Sequence, residues 1–95
     1  MGTTTKKDLI DAIAESTGQT RHDVKTVVQM FLDKVVEEIG RGNRLEFRDF
    51  GVFEVKSRAP RMAQNPKTLE RVPVPAKKIV KFKVGRLMRD ALDAD

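Results

Sequence analysis

The amino-acid sequence predicts an α+β fold: two N-terminal helices, then β-strands with a long projecting arm, then a short C-terminal helix. Apolar residues recur at helical spacing up to residue 40, and the spacing changes to alternation after residue 44. All four prolines lie between residues 58 and 78, where they interrupt regular structure. The 95 residues fit a single domain, 1–95.

Residues 5–40 are predicted to form a helical hairpin. Thr5 and Asp8 have the spacing of a capping box, with Asp in place of the usual Glu, and Gly18 is placed to end the first helix. The second helix carries eight large apolar residues at helical spacing: Val24, Val27, Val28, Phe31, Leu32, Val35, Val36 and Ile39. That face is larger than the short first helix can cover, so another element or a second chain must cover the rest.

Beyond the helices, alternating apolar and polar residues predict strands within residues 44–57 and 79–84. A tight corner is expected near Phe50, because turn-forming residues flank it. The last strand has two different faces, with Val80, Phe82 and Val84 on one side and Lys81 and Lys83 on the other. The C-terminal helix is predicted at residues 85–93.

Residues 58–78 connect the second and third strands and contain few large apolar side chains. A connection of this length inside a small domain is normally functional or disordered. Because the segment cannot bury itself, we expect it to project as an arm. Its tip is placed at Asn65-Pro66, a dipeptide that favours turns.

Positive charge is concentrated in the second half of the chain. Residues 1–50 carry eight Lys or Arg against nine Asp or Glu, whereas residues 51–95 carry eleven against five. Glu70 is the only acidic residue between Lys56 and Arg89. A half of the chain with mostly positive charge indicates a polyanionic partner, because surfaces that only confer solubility mix positive and negative side chains.

The sequence lacks the residues that several classes of function require. The chain has no Cys and one histidine, His22, so we expect neither a metal nor a cofactor. No phosphate-binding Gly-rich loop or Ser-His-Asp set is evident, and the acidic pairs are expected on a solvated helix face, so an enzyme is not expected. Because no apolar run approaches about 18 residues and the N-terminus lacks the apolar part of a signal peptide, we expect a cytoplasmic protein that does not enter membranes.

A set of motifs spans residues 5 to about 92. After the two helices come Phe50-Gly51-Val52-Phe53, the pair Arg58 and Arg61, Asn65-Pro66-Lys67-Thr68, a Phe-containing strand and a Gly-Arg helix start. Together these motifs resemble the HU and integration host factor family of bacterial histone-like DNA-binding proteins. The resemblance implies a three-stranded antiparallel sheet with a long β-ribbon arm, assembled as an intertwined homodimer or heterodimer.

The resemblance also implies a function. The chain is expected to be a nucleoid-associated, architectural protein that binds the minor groove of double-stranded DNA, bends it and compacts or organises the chromosome. Pro66 is expected to wedge between base pairs, and bent, nicked or kinked DNA is the expected preference. The predicted DNA contacts lie on the arm, on the lysine face of the sheet and at the last helix: Lys56, Arg58, Arg61, Gln64, Asn65, Pro66, Lys67, Arg71, Lys81, Lys83 and Arg86.

The arm tip departs from the family pattern at three positions. Ala63 stands where Gly is common, Gln64 where Arg or Lys is common, and Leu69 where Gly follows Asn-Pro-x-Thr. Because larger side chains restrict positive φ angles, we expect the tip to turn differently and to carry one charge fewer. Before the last helix, Val84 replaces Ser or Pro, which leaves backbone N–H groups free for a phosphate.

Other modes of binding fit the sequence less well. A winged helix-turn-helix needs a basic recognition helix, whereas the second helix carries nearly balanced charges. The five Phe are expected in the core, and with no Tyr or Trp an RNA module that stacks bases is not favoured. RNA binding alongside DNA, and a dimerisation module for an acidic protein, stay as alternatives. The sequence also leaves open whether DNA binding is sequence-specific.

Overall fold

The computed structural model describes residues 2–93, and within them it contains three helices and five strands. In chain order these are α1 (Lys6–Thr17), α2 (Arg21–Gly40), β1 (Leu45–Phe47), β2 (Gly51–Arg58), β3 (Arg61–Gln64), β4 (Arg71–Val74), β5 (Lys77–Val84) and α3 (Arg86–Asp93). The predicted order of helices and strands is confirmed. The chain divides between Glu37 and Glu38 into two compact units. In the described residues, no helix combines the length and apolar character that crossing a membrane requires.

The predicted capping residues are present at α1 and α2. The Thr5 hydroxyl accepts a hydrogen bond from the Asp8 backbone N–H (3.2 Å), and the Asp8 carboxylate accepts one from the Thr5 backbone N–H (3.0 Å). These two bonds complete the capping box of α1. Gly18 adopts φ 74° and ends the helix. A hydroxyl cap precedes α2, where the Thr20 hydroxyl accepts a hydrogen bond from the Asp23 N–H at 3.1 Å.

The first unit has a small apolar core. Ile10, Ala14 and Val24 are 6%, 8% and 6% exposed, and Val28 packs against them. Much of the remaining apolar face of α2 lies open, with exposures of 39–70% for Val27, Met30, Phe31, Leu32 and Val36. The sequence predicted that the apolar face of α2 is larger than the first helix can cover. In the single chain, much of that face is indeed exposed to solvent.

The second unit is built on an antiparallel sheet in the order β1-β2-β5. Phe53 of β2 lies opposite Leu45 of β1 and Phe82 of β5, so these three apolar residues share one face. The ring centroids of Phe53 and Phe82 are 4.7 Å apart. Phe47 and Phe50 extend this aromatic cluster, at 6.1 Å from Phe53 and 6.0 Å from Phe82 respectively. The opposite face of β2 and β5 carries mostly charged side chains, with Val52 and Ile79 among them.

A corner between β1 and β2 is bonded to the start of α3. Asp49 adopts φ 66°, a left-handed conformation that Asp tolerates better than most residues. The Gly85 N–H donates to the Phe50 carbonyl oxygen at 2.7 Å, and the Leu87 N–H donates to the Asp49 carbonyl oxygen at 2.9 Å. Because Gly85 is engaged in the corner, α3 begins at Arg86, one residue later than predicted.

Candidate nucleic-acid interface

The predicted arm is a two-stranded antiparallel ribbon. Strands β3 and β4 pair over four residues. Strands β2 and β5 lead into it and are longer than predicted, since their last pair is Arg58 opposite Lys77. Pro60 and Pro75 lie in the two breaks between these pairs of strands, where no ladder hydrogen bond needs a proline N–H. The prediction of a ribbon-shaped arm is therefore confirmed.

The arm ends in a closed turn. The Asn65 N–H donates to the Glu70 carbonyl oxygen at 2.8 Å, and the Leu69 N–H donates to the Asn65 carbonyl oxygen at 2.7 Å. The Asn65 side-chain oxygen accepts from the Lys67 N–H at 2.9 Å, which makes an Asx turn. Pro66 follows Asn65 directly and is exposed. The turn predicted at Asn65-Pro66 is thus present, and its own hydrogen bonds hold it.

Leu69 occupies a strained position in this turn. Its φ is 63°, in the left-handed region that Gly reaches without strain and Leu reaches at a cost on the order of 1 kcal/mol. The sequence predicted that a residue larger than Gly would change the tip, yet Leu69 adopts the left-handed conformation. Gln64, a predicted DNA contact, donates its side-chain amide to the Leu69 carbonyl oxygen at 3.3 Å. Gln64 therefore also braces the turn.

The basic side chains of the arm have no acidic partner in the part of the chain that the structure describes. Arg58, Arg61, Lys67 and Arg71 are exposed, and none forms an ion pair within residues 2–93. Strand register places Arg61 and Arg71 on opposite faces of the ribbon. The arm therefore presents cations on both of its faces, an arrangement that favours a polyanionic partner.

A basic stripe runs along one face of β2 and β5. Strand register places five cations on this face: Lys56, Arg58, Lys77, Lys81 and Lys83. Glu54 lies among them, with its Oε1 atom 3.4 Å from Lys83 Nζ and 3.8 Å from Arg44 Nε. Lys56 and Lys81 make no ion pair with any described residue. The predicted Lys56, Lys81 and Lys83 thus lie together, but a carboxylate holds Lys83.

Arg86, a predicted DNA contact, lies at the first position of α3. Its Nε atom is 3.9 Å from Oδ1 of Asp49, and its side chain is exposed. The Leu87 N–H donates to the Asp49 backbone, so the prediction of free N–H groups at this helix start is wrong for Leu87. The corner after β1 supplies an internal acceptor that the sequence pattern did not indicate.

Sequence reasoning left Lys77 and Lys78 out of the candidate site. Lys77 belongs to the basic stripe, whereas Lys78 lies opposite Ser57 on the other face of the sheet. The pair of adjacent lysines at the end of the arm could have indicated both residues as candidate DNA contacts. Only the strand register assigns each lysine to a face, because a shift of one residue exchanges the faces. Met62, an exposed apolar residue of β3, was also missed, and no sequence pattern indicated its exposure.

The chain is similar to bacterial DNA-binding proteins over nearly its whole length. A family model described as Bacterial DNA-binding protein matches residues 4–93. A Chlamydia pneumoniae protein named "Probable DNA-binding protein HU" is 43% identical, covering 98% of this chain and 94% of its own. The DNA-binding protein HU of Thermus thermophilus is 39% identical, with coverages of 93% and 91%. An Anabaena HU–DNA cocrystal structure superposes with a TM-score of 0.82 at 30% identity, over 97% of this chain and 100% of that chain.

Proposed function

The chain belongs to the bacterial DNA-binding protein family that includes the HU proteins, and we propose that it is an architectural, histone-like protein. It binds the minor groove of double-stranded DNA, bends the duplex and compacts or organises the chromosome. Its family is one of DNA-binding proteins rather than enzymes. The observation that carries the proposal is the arm, which presents cations on both faces and ends in a closed turn that begins Asn65-Pro66.

The working assembly in this proposal is an intertwined dimer. In the single chain, fifteen large apolar side chains of the described residues are exposed, and the core consists of Ile10, Ala14 and Val24. A chain this short with so small a core is not expected to be stable alone. Val80 and Val84 lie on the aromatic face of the sheet and are also exposed, so both units have an apolar face to cover. A second copy supplies matching faces, and a related partner chain would form a heterodimer by the same contacts.

Phosphate contacts are assigned to the arm, to the basic stripe and to the start of α3. The residues assigned are Lys56, Arg58, Arg61, Lys67, Arg71, Lys77, Lys81, Lys83 and Arg86. Backbone phosphates are alike at every base pair, so these contacts supply affinity and salt dependence but little sequence selectivity. Selectivity then comes from how easily a duplex bends, which favours bent, nicked or kinked DNA.

At the arm tip, Pro66 is assigned as a wedge that enters a base step. It is exposed, and it has no N–H that would be left without a partner inside the base stack. Asn65 holds Pro66 in place through the Asx turn with Lys67. Gln64 spans the turn through its bond to the Leu69 carbonyl oxygen, with its side chain beside the groove.

The expected location follows from the ligand. A protein that organises the chromosome acts at the nucleoid, in the cytoplasm. RNA binding alongside DNA stays an alternative, since contacts to phosphate alone do not distinguish the two nucleic acids. Competition between duplex DNA and RNA of equal length measures that preference directly.

Energy transfer between dyes at the two ends of a duplex of about 30 base pairs tests the proposal. We expect the protein to bind the intact duplex, to bring its ends together, and to bind a centrally nicked duplex more tightly. The double variant Arg61→Gln/Arg71→Gln should weaken binding strongly. Its matched control, Lys6→Gln/Lys7→Gln, loses the same charge from α1. Equal weakening by both variants, or binding with an unchanged end-to-end distance, would refute the proposal.

A further inference from the structure

We propose that Leu69 is a second apolar wedge at the arm tip, which enters the minor groove beside Pro66 and inserts against a base step. The assignment rests on the proposed function, because it adds a contact to that DNA interface. It concerns a residue that the sequence pattern marked only as a departure at a Gly position.

The backbone of the turn does not need a leucine at this position. Leu69 and Asp49 are the described non-glycine residues with positive φ, and Asp tolerates that conformation better than Leu does. The two bonds that close the turn join backbone groups of Asn65, Leu69 and Glu70. A Gly would make the same bonds without strain. The conformation of the turn therefore disfavours the side chain that is present.

Packing within the chain does not offset that strain. The Leu69 side chain is 67% exposed, although a leucine gains free energy only where its surface leaves water. The polar contacts around it, from Gln64 to its carbonyl oxygen and from Lys67 to Asn65, use no part of its side chain. An exposed leucine in a strained conformation indicates that its apolar surface is covered by a partner.

The surroundings of Leu69 indicate that the partner is DNA. Pro66 and Leu69 are the apolar side chains of the turn, and beside them lie Lys67 and Arg71, which form no ion pair with any residue between 2 and 93. Apolar side chains, leucine among them, are the ones that wedge between base steps from the minor groove. A polar side chain would lose its hydrogen-bond partners between stacked bases. The flanking cations favour a groove lined by phosphates as the binding site of this pair. They disfavour an apolar protein surface, which offers no negative charge to these cations.

Two wedges in one turn predict a particular pattern of binding. Leucine has a larger and more flexible apolar side chain than proline, so it covers more of an opened base step. Its contribution should be largest on intact duplex, where the step has to be opened. On DNA that is already nicked at the step, the contribution should be small, because the stacking there is already disrupted.

Two variants at this position separate the side chain from the backbone. Leu69→Gly removes the side chain and relieves the strain, whereas Leu69→Ala removes most of the side chain and keeps the strain. We expect both to weaken binding to intact duplex by about tenfold, the factor for losing the partial burial of one leucine. Both should change binding to the nicked duplex less than about twofold. The fluorescence of 2-aminopurine placed at the opened step should be lower in both variant complexes than in the wild-type complex, because a step that stays stacked quenches it.

Lys67→Ala is the control for charge. It should weaken binding to intact and nicked duplexes by the same factor, because it removes a phosphate contact and no wedge. If Leu69→Gly and Leu69→Ala bind and open intact duplex as the wild type does, the inference is overturned while the proposed function stands. If Leu69→Gly weakens binding to intact duplex and Leu69→Ala does not, the effect comes from backbone flexibility, and the inference is also overturned. A wild type that neither binds nor bends intact duplex would instead refute the proposed function.

Discussion

The Nζ atom of Lys83 lies 3.4 Å from Oε1 of Glu54, inside the basic stripe. The Glu54 side chain is 19% exposed and that of Lys83 is 53% exposed, so the lysine is the partner that is free to move toward a phosphate. Arg44 approaches the same carboxylate at 3.8 Å. A partly exposed ion pair of this kind contributes less than about 1 kcal/mol, which makes it readily exchanged for a contact with DNA.

Glu54→Gln should raise the affinity for duplex DNA by about two- to fivefold at low salt, because Lys83 no longer has to leave a carboxylate. Binding measured by fluorescence anisotropy checks this. Glu46→Gln is the matched control, since it removes the same charge from the same face of the sheet. The Glu46 carboxylate pairs with Arg44, whereas only Glu54 of the two pairs with Lys83. An equal rise in both variants would show that the overall field, rather than the release of Lys83, controls the affinity.

Gly85→Ala should destabilise the protein by about 2 kcal/mol or more. A Cβ atom at this position would lie 2.6 Å from the Asp49 carbonyl oxygen and 2.6 Å from the Phe50 carbonyl carbon, and neither backbone atom can move aside without breaking the corner. Urea denaturation at one fixed protein concentration measures the effect. Gly40→Ala is the control, because nothing lies within 4 Å of its Cβ position. Similar losses in both variants would contradict the steric explanation.

The unfolding midpoint should rise with protein concentration, as it does for a protein that folds only as a dimer. Val36→Lys should prevent assembly and folding together, because it places a charge on the exposed apolar face of α2. Thr26→Lys adds the same charge to the same helix outside the apolar series, and it should remain dimeric. Sedimentation that showed a folded monomer at micromolar concentration would rule out an obligate dimer.

The logarithm of the DNA affinity should fall with the logarithm of salt concentration with a slope of about −5 to −9. This range assumes about 6–10 phosphate contacts from the two chains of a dimer. Lys81→Ala should reduce the steepness by about 2, since each dimer loses two contacts, whereas Lys25→Ala on α2 should leave it unchanged. A wild-type slope near −1 would mean that the basic half of the chain is not the binding surface.

Pro66→Ala should affect bending more than binding. The variant should keep most of its affinity for nicked DNA, where the cost of unstacking is reduced, and lose affinity for intact duplex. It should also bend the intact duplex less, which energy transfer between end-labelled dyes measures at saturating protein. An unchanged end-to-end distance would show that Pro66 is not a wedge.

The elements that depend on neighbouring residues could be predicted closely. The capping box of Thr5 and Asp8, the stop at Gly18 and the corner near Phe50 each involve residues only a few positions apart. The ends of β2 and β5 were predicted too short. These strands continue to Arg58 and from Lys77 because each is paired with the other, and alternation along one strand does not reveal that partner.

The α+β class and the order of its elements could be predicted from the composition and period of the amino-acid sequence. The basic second half and the turn at Asn65-Pro66 could be predicted as well, because charge content and local hydrogen bonding decide them. Which cations and N–H groups have an internal partner depends instead on the folded arrangement of the chain. Lys83 pairs with Glu54, and the Leu87 N–H is taken by Asp49, through contacts between residues far apart in the chain. Strand register and the packing of the corner set those contacts, and both arise from pairing between distant segments rather than from the residues beside each position.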